Sequence, residues 1–156
     1  MKAASLALIK SELKQRSHEE LLAICLRLGR FKKDNKELLT YLLFEAGDES
    51  GYIQLLKEDI DEMMEEINSS HLYYAKKGLQ KIVRSLNRFL RYSGQKQTEV
   101  EVRLYFCEQM KSSGIAIHKH STISNLYHRE IKRIEKALVG LHEDLQADYR
   151  YELEQL

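Results

Sequence analysis

Apolar residues recur along this chain at intervals of three and four, with hardly any alternation at intervals of two. That period predicts helices. Residues 2–15 carry Leu6, Ile9 and Leu13 on one stripe. Ser17-His18-Glu19-Glu20 reads as a capping box that starts a second helix, running to about residue 30. Asp34-Asn35-Lys36-Glu37 repeats the start signal for a third. The run that follows is almost wholly apolar (Leu38, Leu39, Tyr41, Leu42, Leu43, Phe44, Ala46), which predicts a central helix buried on most sides.

A fourth helix is expected over residues 51–68. At about 100° per residue, Ile53, Leu56, Ile60, Met63, Met64 and Ile67 share one side. A fifth, over 71–93, ends at Gly94 and turns Leu72, Leu79, Ile82, Val83, Leu86, Phe89 and Leu90 inward. Thr98-Glu99-Val100-Glu101 reads as another capping box and opens a sixth helix, to about 112. A loop over 113–121 leads to a long last helix, about 122–154. Ile115-Ala116-Ile117-His118 is the one strand candidate, and it is too short to build a sheet. The expectation is a single all-α domain, 1–156, with about seven helices in antiparallel hairpins, as a bundle or a short α-α superhelix.

Composition strengthens this picture. The chain has no proline. Proline breaks helices and punctuates loops, so its absence favours long helices and short turns. Hydrophobic content of 43% and charged content of 31% fit a chain that buries a core. No apolar run approaches the roughly 20 residues that span a bilayer. Cys25 and Cys107 sit among apolar neighbours, which predicts a reduced, buried pair and a cytoplasmic location.

Charge changes the picture more. From Glu58 to Glu66 there are six carboxylates and no base. From Asn68 to Thr98 there are seven bases and no acid. Within the basic run, Lys77, Lys81, Arg84, Arg88 and Arg91 step by four, three, four, three and fall within about 80° of a helical wheel. A continuous cationic ridge opposite the apolar face is expected, about 20 Å long. A solvated face is the commonest fate of such a stripe. As a binding surface it suits an acidic protein, or the phosphates of a nucleic acid.

The last helix offers a second surface. Tyr127, Ile131, Ile134, Leu138, Leu141 and Leu145 follow coiled-coil spacing, which predicts either self-association as a homodimer or packing within the chain. Its first half is basic, with Arg129, Lys132, Arg133 and Lys136, and its second half acidic, with Glu143, Asp144, Asp148, Glu152 and Glu154. Both biases run against the dipole of one continuous helix.

The stretch Ser17-His-Glu-Glu-Leu-Leu-Ala-Ile-Cys-Leu-Arg-Leu, followed by Lys33-Asp-Asn-Lys-Glu-Leu-Leu, resembles an uncharacterised bacterial family of all-helical domains. So does Ala75-Lys76-Lys77 followed by Glu101-Val-Arg-Leu-Tyr-Phe-Cys-Glu-Gln-Met. The resemblance covers most of residues 17–140 and implies a bacterial cytosolic domain. Such sequences carry an acidic Gly-Asp turn before the last helix, where this chain has His118-Lys119-His120. No activity, cofactor or site residue follows from the resemblance.

Enzymatic signatures are sparse. Neither phosphate-cradling glycine motif occurs, nor His-Glu-x-x-His. No histidine has a glutamate three residues before it, as a di-iron bundle requires. His118, His120 and His128 are the one group with metal-ligand types, and they lack an evident fourth ligand. The expectation is a non-catalytic protein-interaction module, self-associating and without cofactor. The alternative is a nucleic-acid accessory protein that uses the ridge over 77–91.

Overall fold

The computed structural model describes residues 2–156. Eight α-helices, one π-helical turn and one 3-10 turn make up its regular structure, with no strand among the described residues, so the chain is all-α. It divides into two compact units after Leu43.

The first unit holds α1 (Leu6–Leu13), α2 (His18–Phe31) and α3 (Lys33–Thr40). The capping box at α2 is formed: Ser17 Oγ accepts from the Glu20 amide at 3.2 Å, and Glu20 Oε2 accepts from the Ser17 amide at 2.8 Å. Helix α3 starts at Lys33 without a side-chain cap, because its N-cap residue, Lys32, carries no acceptor; the Asn35 amide donates to the Leu28 carbonyl at 2.9 Å. Helix α2 packs on α3, yet neither helix buries a single residue. The run expected to be central is largely exposed, Leu43 by 71%, although Tyr41 within it is buried. So few residues supply no second layer to cover it. Cys25 is exposed for the same reason. A π-helical turn, Tyr41–Glu45, crosses from this unit into the next.

The second unit holds α4 (Glu49–Glu65), α5 (Leu72–Ser93), α6 (Lys96–Ser112), a 3-10 turn (Ile117–Lys119), α7 (Ser121–Leu138) and α8 (Glu143–Glu154). Here α6 is the central helix. It packs against α4, α5, α7 and α8, and Val100, Val102, Leu104, Phe106, Cys107 and Met110 are all buried along it. Its apolar residues lie between Val100 and Met110, and Arg103, the charged residue buried in this stretch, is taken up by ion pairs. The helix begins at Lys96, two residues before the expected cap. Thr98 lies within it, fully buried, and donates to Glu49 Oε1 at 2.5 Å. Its hydroxyl serves the α4–α6 contact instead of a cap.

Helix α5 buries Ala75, Leu79, Ile82, Val83, Leu86 and Leu90, close to the expected stripe. It ends at Gly94 with φ of 67°, a left-handed conformation that only glycine adopts cheaply. Gly78 lets α5 approach Ile67, two residues past the end of α4: a Cβ there would lie 2.6 Å from Ile67 Cγ1.

The long last helix is two helices. The chain breaks over residues 139–142, and His142 caps α8 by accepting from the Asp144 amide at 3.4 Å. The break resolves the dipole conflict. Lys136 now stands in the last turn of α7, and Glu143 and Asp144 in the first turn of α8. Helix α8 folds back onto α6 and α7, where Tyr149 is buried and donates to Glu101 Oε1 at 2.5 Å.

Candidate functional site

The expected ridge is present on α5, but its five bases do not share one environment. Lys77 places its ammonium over the Tyr73 ring, 4.5 Å from the centroid. A hydrogen bond from Lys77 and its charge hold the Tyr73 hydroxyl below its ordinary pKa. Lys81 pairs with Glu66 across the α4–α5 hairpin at 3.2 Å. Arg84, Arg88 and Arg91 go elsewhere. They form one wall of an open groove of about 750 Å³.

Three helices build that groove. Helix α5 supplies Arg84, Asn87, Arg88 and Arg91; α6 supplies Lys96, Glu99 and Arg103; α7 supplies Arg133 and Lys136. Gly94 lies at its rim, so the left-handed turn between α5 and α6 also sets the spacing of two walls. Seven cations and one carboxylate line the space.

A second carboxylate lies beneath. Glu130 is completely buried and forms ion pairs with both Arg103 and Arg133. The Arg133 contact is 2.9 Å. Asn87 Oδ1 accepts from Arg103 Nη2 and Arg133 Nη1, each at 2.9 Å. Glu99 holds Arg103 from the other side at 3.2 Å and Lys96 at 3.3 Å. These contacts fix the two guanidiniums in place. Two carboxylates against seven cations leave a strong positive excess, and Arg84, Arg91 and Lys136 have no ion-pair partner among the described residues.

The opposite side of α6 has the opposite sign. Glu101 and Glu108 lie there with Tyr105, around Lys57 and against Tyr149 and Glu152 of α8. Burial, reinforced by Glu108 and Glu101, raises the Glu152 carboxyl above its ordinary range. Burial and an Asp61 contact at 2.7 Å push the Tyr105 hydroxyl up to about 12. Burial raises Tyr149 further, helped by Glu101.

The other sequence candidates take structural places. Tyr127, Ile134 and Leu138 are buried within the second unit, and Ile131, Leu141 and Leu145 are half-buried. The coiled-coil stripe is thus interrupted at the α7–α8 break and packs in its own chain, one of the two arrangements expected of it. His120 caps α7 by accepting from the Thr122 amide at 3.3 Å. His128 Nδ1 donates to the Ser124 carbonyl at 2.7 Å, and His118 sits exposed on the 3-10 turn. Among the described residues no group of three or more His, Cys, Asp or Glu is placed to hold a metal. Burial, with Glu130 nearby, pushes the Cys107 thiol up to about 12, far from a nucleophilic thiolate at neutral pH.

The sequence reading missed Lys96, Arg103, Arg133 and Lys136 as groove residues. Lys96 belonged to the basic run, and Arg133 and Lys136 to the basic half of the last helix. Arg103 carried only the spacing of Glu99 four residues before it. Among the described residues no helix is long and apolar enough to cross a membrane. No family model, curated protein or solved structure matches the chain.

Proposed function

We propose that this chain is a non-catalytic interaction protein whose groove between α5, α6 and α7 binds the phosphate backbone of a nucleic acid. One observation carries the reading: seven cations from three helices converge on a space with only Glu99 at its surface and Glu130 beneath it. Five of the seven are arginines, whose planar forks suit phosphate oxygens. A nucleic-acid strand carries one charge per about 3.4 Å, a density that matches so concentrated a cationic surface. No aromatic residue lines the groove, so bases have no stacking platform there. Binding without sequence preference follows.

An acidic protein surface is the second reading, supported by the same charge excess. The test is retention of a fluorescent duplex and a single strand at low salt, by anisotropy. Salt-dependent binding by the wild type, lost on Arg84→Glu with Arg91→Glu, supports the nucleic-acid reading. Both positions are exposed, so the fold should tolerate the change. No binding of either probe at low salt removes it in favour of an acidic protein.

A further inference from the structure

The line of bases on α5 begins with two tyrosines. Tyr73 lies four residues before Lys77 and about three turns before Arg84, so at about 100° per residue the three fall within about 40° of one line along the helix. Tyr74 lies on the flank of that line, about 20° from Lys81. Both side chains face solvent. Tyr73 is 55% and Tyr74 58% exposed, whereas Tyr41, Tyr52, Tyr127 and Tyr149 are buried. Two adjacent aromatic rings left in water forgo the burial that such side chains usually find.

The rings are held in place. They meet edge to face with centroids 5.5 Å apart, and His71 meets Tyr74 in the same way at 6.1 Å. Lys77 rests over Tyr73. Side chains fixed beforehand lose less freedom when another planar group stacks on them.

We propose that Tyr73 and Tyr74 form a base-stacking platform for a single-stranded nucleic acid whose phosphates lie in the groove between α5, α6 and α7. The proposal rests on the nucleic-acid reading of that groove and adds the form of nucleic acid it takes. A single strand offers two chemistries, phosphates and the open faces of its bases. Helix α5 displays a surface for each along one side: exposed rings at its start, and Arg84, Arg88 and Arg91 where it walls the groove. Between them, Lys81 is paired with Glu66 and Lys77 is committed to Tyr73, so the groove holds phosphates and the tyrosines hold bases. Tyr73 and Arg84 are about 16 Å apart along the helix axis. At about 3.4 Å per nucleotide of a stacked strand, about five nucleotides bridge them. A duplex keeps its base faces stacked on one another and offers the rings nothing. An acidic protein surface would answer the cations alone, since carboxylates are poor partners for the negative face of a ring.

Fluorescence anisotropy of the full chain tests the platform, with a single strand of about 15 nucleotides and a duplex of the same length as probes. The strand should bind more tightly than the duplex. Tyr73→Ala with Tyr74→Ala should weaken the strand about tenfold and leave the duplex unchanged, which also shows the variant to be folded. Tyr73→Phe with Tyr74→Phe keeps both rings and should keep the affinity. An abasic strand of the same length should bind the wild type and the alanine variant equally. If strand and duplex bind alike and the alanine variant loses neither, the platform is overturned while the groove reading stands. Equal losses on strand, abasic strand and duplex also overturn it, because the tyrosines would then serve the fold or the groove. Binding of neither nucleic acid at low salt removes the groove reading and the platform with it, and retention of a polyglutamate probe would then assign the surface to an acidic protein.

Discussion

Arg103 in the floor of the basic groove meets Glu130 beneath it, the two 5% and 0% exposed, with Arg133 completing the pair from the groove side at 2.9 Å. A cation and an anion this far from water stabilise each other only while both are present. Glu130→Ala leaves the Arg103 charge buried without its main partner. The expected cost is about 3–5 kcal/mol of folding stability, read from urea unfolding. Glu130→Gln keeps shape and one acceptor, so it should fall between the wild type and Glu130→Ala. Equal stability of all three would show that the pair contributes nothing.

The approach of α5 to the end of α4 depends on Gly78. In an exposed helix interior, Gly→Ala would gain about 1 kcal/mol of helix propensity. Here the new methyl would lie 2.6 Å from Ile67 Cγ1, close to the branch point of that side chain. Gly78→Ala should therefore destabilise, by about 1–3 kcal/mol. The sign is the informative part. In an Ile67→Ala background the obstruction is gone, and the same substitution should become stabilising. A destabilising effect that persists in that background would place the obstruction elsewhere.

Alkaline stability should report the tyrosines around α6 and α8. The Tyr105 and Tyr127 hydroxyls are pushed up to about 12 by burial, Tyr105 also by Asp61, and Tyr149 is raised by burial and Glu101. Below pH 10 both folded and unfolded chains hold these protons, so they add no pH dependence. Above pH 10 the unfolded chain loses them first. Stability should then fall as pH rises from 10 towards 12. Tyr149→Phe removes the largest of these shifts along with its bond to Glu101, so the variant should be less stable at pH 8 and lose less between pH 10 and 11.5. Urea midpoints across that range check it; parallel slopes would contradict it.

Glu152 gives the opposite sign at the acid end. Burial and the neighbouring Glu108 and Glu101 raise its folded-state pKa, so its ionised form opposes folding at neutral pH. Stability from this group is gained as pH falls through the folded pKa. Glu152→Gln should stabilise the protein at pH 7 by less than about 1 kcal/mol, because solvent screens much of the repulsion. The gain should vanish at pH 3, where the wild-type carboxyl is protonated. Thermal midpoints at the two pH values decide it.

How far the sequence revealed this molecule depended on sequence separation. Helices α4 and α5 were legible because their stripes are local: Leu56 and Ile60 on one, Leu79, Ile82 and Leu86 on the other. The α7–α8 break was also written in the chain. A basic half before Gly140 and an acidic half after it conflict with one dipole and agree with two. Coiled-coil spacing from Tyr127 to Leu145 outweighed that conflict, and it was the weaker signal. Which segment was central was not legible, since the run after Lys36 is the more apolar of the two in sequence and α6 is central only because α4, α5, α7 and α8 pack around it. The groove was half legible. The α5 wall followed from spacing. The α7 wall did not, because Arg103 and Glu130 are 27 residues apart and meet only once α6 and α7 have packed.

If phosphates occupy the groove, the salt dependence of binding measures how many of its cations they reach. Each duplex phosphate neutralised releases counterions and contributes about −0.9 to the slope of log K against log salt. Seven lining cations, less the charges matched by Glu99 and Glu130, predict a slope of about −4 to −5 on duplex DNA. Arg84→Ala and Lys136→Ala come from opposite walls. Each should flatten the slope by about 1, and together by about 2, because both lose a phosphate contact without disturbing the buried pair. Lys77→Ala should leave the slope unchanged, since its ammonium lies over Tyr73 and outside the groove. Loss of slope on Lys77→Ala equal to that on Arg84→Ala would mean that the phosphates follow the whole α5 ridge and not the groove between three helices.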